Sequence, residues 1–79
     1  MDELLEFLRC PETHQRLVVA ESELVSRLNA DIEGGRVKNR AGKAVSKPID
    51  SGLVREDRKF LYPVRRRIPE LLIDEAIPL

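Results

Sequence analysis

The apolar positions of this chain change period several times, and each change marks an element. Leu4, Leu5 and Leu8 recur at i, i+1 and i+4, which predicts a short helix over residues 3–9 with its apolar stripe on a core. Asp2 is placed to cap it, and Glu3 and Glu6 lie in the first turns, where the helix dipole favours negative charge. Cys10-Pro11 ends it, because the residue before proline is pushed out of helical geometry. Residues 11–15 read as a turn and the β-branched run 16–20 as a strand. Helical period returns over 21–33, with Leu24, Val25, Leu28 and Ile32 on one face. Gly34-Gly35 stops that helix, since glycine enters the left-handed region without a Cβ clash.

From there the pattern is extended. Residues 36–39 and 43–46 alternate small apolar with basic residues around Arg40-Ala41-Gly42, predicting a hairpin with one solvated face. Residues 47–52 form a connector. Residues 53–55 and 60–62 predict a second hairpin around the charged turn 56–59. Residues 68–73 supply a further extended or short helical segment, and 74–79 read as a peripheral tail. The fold class is therefore α+β: one small domain over 1–79, with an N-terminal helix, antiparallel β-hairpins and an inserted helix and hairpin.

Composition narrows the function classes. With 79 residues, 42% hydrophobic and 35% charged, the chain is globular in type and near the lower size for an unaided core. No apolar run approaches the roughly 18 residues of a membrane span, and the acidic N-terminus lacks the basic start of an export signal. One cysteine, Cys10, fits a reducing compartment, so a cytoplasmic location is expected. The zero net charge conceals a segregation. Residues 36–67 hold eleven basic and three acidic residues, about +8, and the remainder carries the opposite balance.

Candidate chemistry is sparse. Cys10 and His14 stand four apart, but two ligands do not make a tetrahedral zinc site, and a buried thiol beside a turn histidine is the expectation. As a nucleophile and base the same pair lacks an orienting third group and a pocket, so no catalytic role is expected. The glycines form no phosphate cradle, and no cofactor is expected. Arg65, Arg66 and Arg67 stand between two apolar runs. They read either as a solvated turn paired with Glu70 or the acidic ends, or as a phosphate-binding patch with Phe60 and Tyr62 for stacking.

Two blocks carry a family resemblance. Leu4-Leu5-Glu6-Phe7-Leu8-Arg9-Cys10-Pro11, then Leu61-Tyr62-Pro63-Val64 and Ile68-Pro69-Glu70-Leu71-Leu72, resemble the small Trm-type methyltransferase-activator family. That family has a leucine-rich helix leading into Cys-Pro-x-Cys and a closing Tyr/Phe-Pro-Ile/Val-Arg-Asp-Gly-Ile-Pro block. Here Thr13 stands for the second cysteine, Arg55 and Arg58 for a later pair, and Arg66-Arg67 for Asp-Gly. The resemblance thus implies a bacterial-type, metal-free version of a zinc-ribbon-like fold, with core residues 1–20 and 52–73 and an insertion over 21–51. It further implies a non-catalytic adaptor for a methyltransferase acting on RNA or a translation factor. Such an adaptor binds by adding a strand to the enzyme's sheet, with Ile68, Pro69, Leu71 and Leu72 as partner-binding positions. The enzyme, not this chain, would bind S-adenosylmethionine. The alternative is an RNA-binding module using Arg65, Arg66 and Arg67. An exposed edge strand suited to a partner also suits a second copy of the chain.

Overall fold

A computed structural model describes residues 9–79. The helix expected over 3–9 falls almost wholly outside them. The first described pairing is an antiparallel bridge between Arg9 and Arg16, which closes the turn around Pro11. Strand β1 (Leu17–Val19) follows, then helix α1 (Ser22–Glu33), β2 (Ser51–Arg55), β3 (Phe60–Arg65), β4 (Ile68–Pro69) and β5 (Ile77–Pro78), with a 3₁₀ turn at Ile73–Glu75.

All pairings are antiparallel. The order is β1-β2-β3-β4, with β5 also on β3. Leu61 pairs with Ile77 in β5, and Val64 pairs with Pro69 in β4. The two short strands therefore share one edge of β3, which becomes the centre of the sheet.

Alternate side chains of a strand point to opposite faces, and here both faces are covered. Val54 and Leu61 join Leu28 and Ile32 of α1, with Val37, Ile49 and Ile77. Leu53, Tyr62 and Val64 join Cys10, Leu17 and Ala76 on the other side. This explains why the expected second hairpin reads as a nearly continuous apolar run. A strand buried on both faces cannot alternate with polar residues.

Helix α1 lies where the apolar period places it. Asn29 locks it to the connector: its Oδ1 accepts from the Ile49 N–H at 2.8 Å and its Nδ2 donates to the Ile49 carbonyl at 2.9 Å. The stop is divided between the two glycines. Gly34 stays right-handed, and Gly35 takes the left-handed φ of 71°. The arms flanking Arg40–Gly42 meet as expected, with a single bridge between Lys38 and Ala44. Their tip is held by the tail, because the Arg40 N–H donates to the Ala76 carbonyl at 3.0 Å.

The tail corrects the expectation of a peripheral segment. Ala76 and Ile77 are buried, and Leu61 pairs with Ile77. Three of the last six residues are polar or proline and the apolar run is too short to show the strand period, so only the pairing with β3 reveals their role.

Candidate functional site

The opening of β4 sets the candidate face. Arg65 pairs with Ile68 across a two-residue loop made of Arg66 and Arg67. Both loop residues have positive φ, 53° and 64°, as a right-twisted hairpin requires of its central pair. Asp50 supports the loop, its Oδ2 accepting the Arg66 N–H at 2.6 Å.

The three arginines then differ. Arg65 is fully engaged: Nη1 donates to Glu70 at 2.9 Å, Nε to the Pro48 carbonyl at 3.1 Å, and Nη2 to the Lys47 carbonyl at 2.9 Å. Arg66 and Arg67 are exposed, and their guanidinium groups make no hydrogen bond or ion pair among the described residues. The expected pairing with Glu70 thus holds for Arg65 alone.

The apolar positions divide too. Ile68 and Leu72 are 66% and 63% exposed, whereas Pro69 and Leu71 are half-buried. Leu71 packs against the cluster that contains Cys10 and Tyr62. Between the 43–47 segment and residues 65–75 lies an open cavity of about 540 Å³, with Leu72 and Val45 on its apolar side and Lys47, Arg65 and Glu70 on its polar side.

The two aromatic residues proposed for base stacking are not available for it. Tyr62 is fully buried, its hydroxyl 3.0 Å from the Cys10 sulfur. Phe60 is half-buried, with the guanidinium of Arg40 at 4.7 Å and that of Arg55 at 5.0 Å from its ring centre.

Sequence reasoning missed one site of concentrated charge. Arg55 is 5% exposed and is held by Asp57 and by Glu12, the latter at 3.1 Å. Gln15 extends the network, donating to Asp57 Oδ2 at 3.1 Å and accepting the Asp57 N–H at 3.1 Å. The bond to Arg55, against a smaller opposing effect of burial, holds the Asp57 carboxyl far below the usual range. Glu12 is lowered by Arg40 first and Arg55 further. Glu12 and Arg55 are 43 positions apart, so no local spacing signals the contact.

Of these residues only Arg55 stands at a position that the resemblance assigns to a zinc ligand, and the cluster does not suit a metal. Among the described residues no three His, Cys, Asp or Glu side chains could hold one ion. The buried guanidinium of Arg55 stands at one matching position and repels a cation. Cys10 and His14 do not form a pair, because the thiol is buried against Tyr62 and His14 is exposed with φ 61°. Burial opposes thiolate formation, yet hydrogen bonds from Thr13 and Tyr62 outweigh it and lower the Cys10 pKa.

Comparison with known proteins places this architecture. The family profile of Trm112p-like proteins matches residues 2–41. The solution NMR structure of XF2673 from Xylella fastidiosa is similar at a TM-score of 0.78 and 34% identity, over 98% of this chain and 79% of that one. No curated protein sequence gives a significant match. No helix among the described residues is long and apolar enough to cross a membrane.

Proposed function

The chain belongs to the Trm112p-like family, and on that premise we propose that it is a non-catalytic, cytoplasmic adaptor that stabilises or activates a methyltransferase. The substrate of that enzyme is an RNA or a translation factor, as the family resemblance implies. The observation that supports the reading is the exposure of Ile68 and Leu72, the most exposed large aliphatics among the described residues, beside a β2–β3 hairpin that buries Leu53, Val54, Leu61 and Val64. Exposed apolar side chains on an ordered segment lower the free energy of association when a partner covers them. Pro69 and Leu71 anchor that segment from beneath. The enzyme supplies the S-adenosylmethionine site and this chain supplies a rigid face.

Affinity purification of the full chain from its source cells tests the reading. A methyltransferase recovered in about equal molar amount is the expected result, and its repeated absence would reject the adaptor role. The second reading, RNA binding through Arg65, Arg66 and Arg67, rests on the two unpaired guanidinium groups of Arg66 and Arg67. It requires RNA binding that weakens steeply with salt.

A further inference from the structure

The β3–β4 loop sets side chains against backbone. Its central residues have the positive φ that Asn-Gly adopts at little steric cost, and they are both arginine. What holds the loop to the domain is a backbone group, the Arg66 N–H on Asp50. The two guanidinium groups make no hydrogen bond or ion pair among the described residues.

Beside these free cations lie the most exposed large aliphatics among the described residues. Ile68 follows Arg67 directly and sits opposite Arg65 in the ladder. Leu72 lines the same cavity as Arg65 and Lys47, and Arg65 is clamped between Glu70 and the Lys47 and Pro48 carbonyls. One braced arginine therefore frames a surface that combines two exposed aliphatics with two unpaired positive charges.

We propose that this surface docks an apolar patch rimmed by carboxylates on the partner protein. Ile68 and Leu72 enter the apolar patch, and Arg66 and Arg67 meet the acidic rim. The inference rests on the adaptor reading and adds the chemistry of the partner's side. Charge complementarity at a rim speeds encounter and fixes register, and desolvated aliphatics slow dissociation. A protein suits this surface better than RNA does. Phe60 and Tyr62, the aromatic residues among those described, are buried or enclosed, and a phosphate backbone gives Ile68 and Leu72 nothing to pack on.

The test uses the full chain and the methyltransferase it captures, purified as a complex and titrated at low and high salt. Arg66→Asn with Arg67→Gly removes both cations and leaves a favourable loop, so a melting temperature at or above that of the parent excludes misfolding. That variant is expected to bind about tenfold more weakly and to lose most of the salt dependence. Ile68→Asp is expected to bind at least about tenfold more weakly at every salt concentration. Affinity within about twofold of the parent for either variant overturns the acidic-rim inference and leaves the adaptor reading standing. Capture of no methyltransferase by the parent chain removes both. Capture of RNA instead, lost with Arg66→Asn and Arg67→Gly, removes both in favour of a nucleic-acid role.

Discussion

Cys10 and Tyr62, fifty-two positions apart, meet sulfur to hydroxyl at 3.0 Å with both residues fully buried. Burial, reinforced by the bond to Cys10, pushes the Tyr62 phenol far up, so the hydroxyl keeps its proton, and either it or the thiol can donate across the contact. The contact joins the segment before β1 to the central strand. Tyr62→Phe leaves a buried sulfur without its hydrogen-bond partner and is expected to cost about 1 kcal/mol in urea unfolding. An unchanged midpoint would mean that the contact adds nothing to the packing of the ring.

The Arg55 cluster predicts acid sensitivity. Glu12 and Asp57 have folded-state pKa values below their unfolded values, so their contribution is complete above the unfolded value and declines as pH falls toward the folded one. Stability is therefore expected to be flat near neutrality and to fall below about pH 4, the ordinary carboxylate range. Asp57→Asn should flatten that acid limb. Arg55→Met, which removes the cation and leaves two carboxylates, is expected to lower stability at pH 7 by about 1–3 kcal/mol. Thermal melts between pH 3 and pH 7 measure both effects.

Gly52 is close-packed. A Cβ there would lie 2.5 Å from Leu61 Cδ1, and Leu61 is fully buried at the core of the sheet. Gly52→Ala is expected to cost about 1–3 kcal/mol from overpacking. A companion Leu61→Ala change should relieve the clash, and stability of the double variant below the sum of the single effects would show that it does not.

The tail contrasts with β4. Ile77 is buried against the face that α1 covers, and Ile68 projects into solvent. Ile77→Ala is expected to cost about 2–4 kcal/mol. Ile68→Ala should stay within about 0.5 kcal/mol in the isolated chain and register only in partner binding. Equal losses for the two would place Ile68 in the core and remove it from the docking face.

The β3–β4 loop predicts a stabilising change. Arg66→Asn with Arg67→Gly suits the left-handed positions and leaves the backbone bond to Asp50 in place. A gain of about 1 kcal/mol is expected, read as a raised melting temperature. A loss would show that the arginines contribute to the fold.

Local period and punctuation determined much of this architecture. The 3.6-residue spacing of Leu24, Leu28 and Ile32 specified α1, because a helix buries one stripe, and the paired glycines marked its end. The β2–β3 hairpin was legible from two apolar runs around a charged turn, and the loop of Arg66 and Arg67 from the charge between two others. The blocks around Cys10-Pro11 and Ile68-Pro69 also carried the family. What the tertiary structure decided depends on partners distant along the chain. Burial of Ile77 needs Leu61 beside it, and the engagement of Arg65 needs Glu70 and the carbonyls of Lys47 and Pro48. The cluster of Arg55 with Glu12 and Asp57 needs the turn before β1 folded against the turn after β2. Sequence period reports which face an element hides. Which side chain meets another across tens of residues is set only when the faces close, and that closure left Arg66, Arg67, Ile68 and Leu72 on the outside.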